Sequence, residues 1–208
     1  MTVFVIDDDP EILGSLGSLF RSTGLDVALF QSPEEFLAAE KPTTASCLVL
    51  DVRLRGQSGL DFQERLVAEG ITLPVVLITG HGDIPMTVRA MKAGAVDFLP
   101  KPFSEEQMLA AVGSALERDE ERREQAAGSD ALQLCYDRLT PREREVMSLV
   151  VTGLMNKQVA ARMELSEITV KIHRGNVMRK MEAQSLADLV RMAETLGIRD
   201  DTIHRFNI

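Results

Sequence analysis

The stretch TVFVIDDDPEIL, residues 2–13, runs a short apolar segment into three consecutive aspartates and then into a proline. Apolar runs of this length bounded by polar turns read as buried strands, and Pro10 sits where the first turn of a helix tolerates a missing N–H. The pattern returns along the chain: Asp51 follows the apolar run 47–50, Thr79 closes 75–78, and the Lys101-Pro102 step follows 96–99. If these runs are parallel strands of one sheet, Asp7, Asp8, Asp51, Thr79 and Lys101 all gather at its carboxyl edge, where open α/β sheets bind ligands.

Outward from that stretch, residues 1–116 alternate apolar runs with helical patterns, the signature of βαβ units. Strands are expected near 2–6, 26–30, 46–50, 75–79 and 96–99, with helices near 10–22, 33–40, 58–69, 85–93 and 104–117. Right-handed crossovers then give an α/β fold, a doubly wound five-stranded parallel sheet with helices on both faces. Residues 116–128, LERDEERREQAAG, lose the apolar stripe but keep strong helix formers. They are expected to extend the fifth helix as a charged connector that does not pack, interrupted at Gly128-Ser129-Asp130. From residue 139 every element reads as helix, over 141–152, 156–163, 167–181 and 185–196, a small all-α domain whose short turns suit a helix-turn-helix. The expected domains are 1–117, a helical linker over 118–137, and 138–208.

The length of 208 residues also favours two modest domains. A net charge of −9 conceals an asymmetry: 1–116 carries 8 Lys+Arg against 16 Asp+Glu, 117–137 carries 3 against 7, and 138–208 carries 12 against 9. An acidic front with a basic tail suggests that only the tail meets a polyanion. No apolar stretch approaches the roughly 18 residues of a membrane span, so no membrane partner and a cytoplasmic location are expected. Cys47 and Cys135 read as buried or incidental thiols rather than a disulfide framework.

Crowded carboxylates raise one another's pKa, and a divalent cation resolves the conflict. Mg²⁺ prefers an octahedral oxygen shell with one or two protein carboxylates, leaving positions for phosphate and water. Asp51, isolated at its strand end, suits a nucleophile that accepts a phosphoryl group; Thr79 can hydrogen-bond the added phosphate and Lys101 can offset its charge. Asp9 reads as a helix cap, and Asp7 and Asp8 taken alone would read the same way. It is their company at matching strand ends that points to a site.

Four motifs carry a resemblance across all of 1–116: VIDDD at 5–9, LVLDVRLRGQSG at 48–59, LITGHGD at 77–83 and DFLPKPF at 97–103. They resemble the receiver domains of two-component response regulators, a flavodoxin-like fold. The resemblance implies phosphorylation of Asp51 by a sensor histidine kinase and a Mg²⁺ site made by Asp7, Asp8, Asp51 and the backbone carbonyl of Arg53. It also implies a switch pair of Thr79 and Phe98, and a cis peptide between Lys101 and Pro102, the one residue type for which cis carries a small penalty. A face comprising Met91, Ala95, Phe98 and Met108 is expected to change partners when Thr79 moves. Arg55 departs from the family, which places a proline there, and Arg53 and His81 resemble the positions that tune phosphoryl lifetime in that family.

The tail offers a second set. In 167–181, EITVKIHRGNVMRKM, the apolar positions Ile168, Ile172, Val177, Met178 and Met181 recur at roughly helical spacing, with Lys171, Arg174, Asn176, Arg179 and Lys180 on the remaining surface. This is either a solvated amphipathic helix or one that reads the major groove. LTPREREV at 139–146, GLMNKQVA at 153–160 and LSEITVKIHRGNVMRKM at 165–181 resemble the LuxR-type helix-turn-helix of FixJ-like regulators. That implies phosphate contacts from Asn156, Lys157 and Thr169, and base or backbone contacts from Lys171, Ile172, His173, Arg174 and Asn176 on double-stranded DNA. Gly175 stands where a long polar residue is usual. The last helix, SLADLVRMAETLG, has an apolar face that can pack internally or pair with a second copy, and the resemblance favours a homodimer formed on phosphorylation, with RNA polymerase as a further partner. A phosphohydrolase using the same aspartate is disfavoured, because such enzymes carry a second aspartate where this chain has Arg53. A binding module indifferent to phosphorylation is the remaining alternative.

Overall fold

The structure, a computed structural model, describes residues 1–80 and 82–198; His81 and the end of the expected 138–208 domain lie outside them. The chain divides into two compact units, Met1–Glu124 and Gln125–Ile208. The first runs β1 (Thr2–Ile6), α1 (Pro10–Ser22), β2 (Asp26–Phe30), α2 (Pro33–Ala38), β3 (Ser46–Asp51), β4 (Arg53–Leu54), β5 (Gln57–Ser58), α3 (Gly59–Ala68), β6 (Val75–Thr79), α4 (Ile84–Lys92) and β7 (Asp97–Pro100). It continues into α5 (Glu105–Asp137), which carries the chain into the second unit.

Five strands form one parallel sheet in the order β2-β1-β3-β6-β7, the doubly wound arrangement expected. Alternate residues of each strand point to opposite faces. Val3 and Val5 therefore pack with Leu16 and Phe20 of α1 and Met108 and Val112 of α5, whereas Phe4 and Ile6 pack with Phe36 of α2 and Phe62 and Leu66 of α3. Both faces are covered, which is why the strands read as unbroken apolar runs. The register sets Ile6 opposite Leu50, Asp51 opposite Ile78 and Thr79 opposite Pro100, so the polar residues that end these strands emerge along one edge. Helix starts are fixed by side-chain caps: Asp9 accepts from the Glu11 amide, Ser32 from Glu35 and Asp83 from Met86, each just ahead of a first-turn proline.

Two expectations about the connector fail. Gly128-Ser129-Asp130 does not interrupt α5; a helical glycine costs only about 1 kcal/mol, and good helix formers flank this one. Nor is the connector unpacked. Asp119 is fully buried and accepts hydrogen bonds from the Ser46 amide at 2.9 Å, Arg122 Nη2 at 2.6 Å and Arg123 Nε at 2.6 Å. Burial alone would push its carboxyl up, but the two guanidiniums and the amide hold it below the usual carboxylate range. Arg123 also donates to the Thr43 carbonyl at 2.9 Å, so the start of β3 and the connector are tied together.

The turn after Asp51 is a two-residue antiparallel hairpin, β4 with β5, closed by Gly56 at φ 83°. Just beyond it, a Cβ on Gly59 would stand 2.1 Å from the Asp51 carbonyl oxygen, so only glycine fits there.

In the second unit, the end of α5 is followed by α6 (Pro141–Val150), α7 (Asn156–Met163), α8 (Glu167–Lys180) and α9 (Leu186–Thr195) around a core that includes Val146, Met147, Val159, Val177 and Leu189. Thr140 and Glu143 cap α6 reciprocally: the Thr140 amide donates to Glu143 Oε2 at 2.8 Å and the Glu143 amide to Thr140 Oγ1 at 3.3 Å. The α7–α8 turn is three residues, with Glu164 left-handed at φ 54°. The apolar positions of α8 divide between core and surface. Val170, Val177 and Met181 face the core, while Ile168 and Ile172 are 74% and 60% exposed. Packing against α6 and α7 sets the rotation of this helix, which its own spacing left ambiguous. On α9, Leu189 and Ala193 are buried within the unit.

Candidate functional site

Asp7 and Asp51 are 1% and 4% exposed at the ends of the paired strands β1 and β3. Lys101, directly after β7, reaches back between them: its Nζ lies 2.8 Å from Asp7 Oδ2 and 2.8 Å from Asp51 Oδ1. The outer oxygens are held by the backbone, with the Asp9 amide donating to Asp7 Oδ1 at 2.9 Å and the Arg53 amide to Asp51 Oδ2 at 2.7 Å. The Lys101 amide donates to the Thr79 carbonyl at 2.6 Å, and the Lys101-Pro102 peptide is cis. Two buried carboxylates thus share one ammonium. For Asp7, burial outweighs the lysine and the Asp9 amide, and with Asp51 adding repulsion the carboxyl rises above its ordinary 3.8. Lys101 is raised in turn, because its two carboxylate partners outweigh the burial that would lower it.

The cleft above this pair, about 500 Å³ and open to solvent, is lined by Asp7, Asp8, Asp51, Arg53, Arg55 and Lys101 among others. Asp8 does not join the buried pair; its Oδ2 accepts from Arg55 Nε at 2.9 Å. Among the described residues no three His, Cys, Asp or Glu side chains converge as a ready metal-ligand set. The donors present are hard oxygens on two adjacent carboxylates with a third at the rim, and Mg²⁺ takes only one or two carboxylates while keeping its waters, so the donor chemistry fits that ion.

Thr79 is fully buried and Phe98 half-buried. Gly82 lies between them: a Cβ there would meet Phe98 Cε1 at 2.9 Å and Thr79 Cγ2 at 3.2 Å. The wider face expected with them does not exist as a surface. Met108 and Ala95 are buried in opposite core layers, and of the four residues only Met91 is exposed.

In the second unit, Asn156 at the start of α7 accepts from Arg174 Nη1 of α8 at 3.1 Å, joining two of the expected DNA-contact residues across the turn. Ser166 caps α8 through the Thr169 amide at 3.1 Å and pairs with the Thr169 hydroxyl at 2.7 Å. Lys157, Lys171 and Ile172 are exposed, while Asn176 accepts from Arg179 at 3.3 Å. His173 is half-buried with Nδ1 unpartnered in the interior, so its ring is turned partly inward. Lys180, expected on the surface, instead pairs with buried Glu143 at 2.6 Å.

Residues 3–113 match the family described as response regulator receiver domain, and 137–193 match bacterial regulatory proteins, luxR family. The transcriptional regulatory protein FixJ of Bradyrhizobium diazoefficiens is 40% identical over 199 residues, covering 96% of this chain and 97% of that one. The chain belongs to the FixJ-type response regulators. Nodulation protein W of the same organism is 59% identical to the regulator over 196 residues, 94% of this chain and 86% of its own. The solved structure of response regulator StyR superposes with a TM-score of 0.83 at 48% identity, covering 93% and 98% of the two chains. The regulator is therefore a transcriptional regulator with a receiver domain and a LuxR-type DNA-binding domain. Among the described residues, no helix is long and apolar enough to cross a membrane. Sequence reasoning missed the Asp51 carbonyl contact at Gly59, the burial of Asp119 and the Glu143–Lys180 pair, although all four residues lie in the stretches 48–59, 116–128, 139–146 and 165–181 quoted above.

Proposed function

We propose that Asp51 accepts a phosphoryl group from a sensor histidine kinase and that this controls dimerisation and sequence-specific DNA binding by the second unit. The observation that carries the reading is the Lys101 ammonium placed 2.8 Å from both Asp7 and Asp51 at the carboxyl edge of the sheet. A carboxylate oxygen of Asp51 attacks phosphorus, the bond from phosphorus to the donor imidazole nitrogen breaks, and an acyl phosphate remains on Asp51. Asp7, Asp8 and Asp51, with the Arg53 carbonyl, would hold Mg²⁺, which when bound neutralises charge on the phosphoryl oxygens. Lys101 stays with the new anion, and the Thr79 hydroxyl turns toward it. Phe98, packed against Gly82 and through it against Thr79, follows that movement as the second half of the switch.

On DNA, the exposed Lys157 and Lys171 supply phosphate or base-edge contacts, Asn156 and Thr169 hold the backbone near the turn, and Ile172 meets thymine methyl groups. Arg174, His173 and Asn176 complete the set, and the half-sites are an inverted pair matching a two-fold dimer. The test is incubation with acetyl phosphate and Mg²⁺ followed by intact-mass spectrometry. One phosphate should add to the wild type and none to Asp51→Asn, whose DNA affinity should also stop responding to acetyl phosphate. If wild type and Asp51→Asn bind DNA equally under all conditions, the regulator is indifferent to phosphorylation and the reading is wrong.

A further inference from the structure

The shared-ammonium geometry does not account for the Arg55–Asp8 pair at the acidic cleft. Arg55 sits in the β4–β5 turn with its side chain 86% exposed, yet its Nε is directed at Asp8 Oδ2, 2.9 Å away, and Asp8 is 25% exposed. A guanidinium keeps its charge at every accessible pH, so it contests Asp8 wherever a divalent cation would. We infer that Arg55 is an internal competitor for the cation: its guanidinium occupies Asp8 in the cation-free cleft and is displaced when the cation binds. Metal affinity is thereby set below what the three carboxylates alone would give, and each binding event releases a positive group at the mouth of the cleft, facing the incoming phosphodonor. The inference rests on the proposed reading of Asp7, Asp8 and Asp51 as Mg²⁺ ligands.

Isothermal titration of the unphosphorylated full-length chain with Mg²⁺, repeated with Mn²⁺ by electron paramagnetic resonance, tests it. Because an exposed ion pair is weak, Arg55→Ala should bind either ion about two- to five-fold more tightly than wild type. The gain should disappear in the Asp8→Asn background and be reversed by Arg55→Lys. Equal or weaker binding by Arg55→Ala, with measurable binding by wild type, overturns the competitor role and leaves the metal site standing. Binding that is undetectable in both, or unchanged by Asp8→Asn, overturns the metal reading itself. Circular dichroism of each variant controls for folding, which a substitution at so exposed a position leaves intact.

Discussion

Asp7 in the first unit and Glu143 in the second are both buried acids in contact with a lysine, yet their surroundings drive them opposite ways. Glu143 is 3% exposed and has Lys180 to itself at 2.6 Å, with the Thr140 amide at 2.8 Å. Burial pushes its carboxyl up, and those donors overcome the push and hold it at about 2. Asp7 shares Lys101 with Asp51, and there burial wins. A buried carboxylate with a whole cation is finished structure. Two carboxylates on one cation leave a local demand for positive charge, and that demand makes the sheet edge a place for chemistry.

Breaking the finished pair should cost most. Glu143→Ala strands the Lys180 ammonium and removes half of the α6 capping box, and the loss of one partner of a buried pair costs about 3 kcal/mol. Tyr136 is the only tyrosine in a chain without tryptophan, and it packs on the second core. Tyrosine fluorescence during urea unfolding therefore reports this unit selectively. A loss below about 1 kcal/mol would mean that Lys180 is satisfied by the Arg138 carbonyl, 3.1 Å away, and that the pair contributes little.

The contrast sharpens with pH. Glu143 is depressed from 4.5 to about 2 in the folded chain, so its stabilisation is present above pH 4.5 and is lost as pH falls toward 2. Allowing for the partial exposure of Lys180, that loss amounts to about 2 kcal/mol. Asp7 runs the other way: its folded value lies above 3.8, so its contribution is greatest in acid and declines as pH rises through the folded value. Tyrosine-detected unfolding between pH 2 and 5 should therefore show a steep acid loss that Glu143→Gln flattens. A wild-type curve already flat in that window would remove the distinction between the two acids.

Much of this was legible in the chain itself, for reasons that differ by element. The sheet was readable because strands covered on both faces must be apolar throughout, and Asp7, Asp51 and Lys101 stood out as the polar residues that terminate them. Asp119 was not readable. Its donors are two arginines in a charged helix and a backbone amide 73 positions earlier in the chain, and nothing local separates such a carboxylate from a solvated one. The pairing of Glu143 with Lys180, 37 positions away, depends on how α6 and α8 pack. The same packing turned Ile168 and Ile172 outward, a choice that the apolar spacing of the helix left open.

Gly175 gives the smallest test, on the surface proposed to meet DNA. It lies in α8, exposed, and a Cβ there would have no atom within 4 Å. Nothing inside the unit requires glycine, so Gly175→Ala should stabilise the second unit by about 0.5–1 kcal/mol through helix propensity alone. Tyrosine-detected urea unfolding measures that gain, and titration of a fluorescent DNA duplex measures affinity in parallel. Alanine adds no polar group, so affinity should stay within about two-fold of wild type, a shift of some 0.4 kcal/mol. If stability rises and affinity falls much further, α8 approaches the duplex closely enough at position 175 for a single methyl group to obstruct it. The glycine would then belong with the unfinished regions of the molecule, shaped for what binds rather than for the fold.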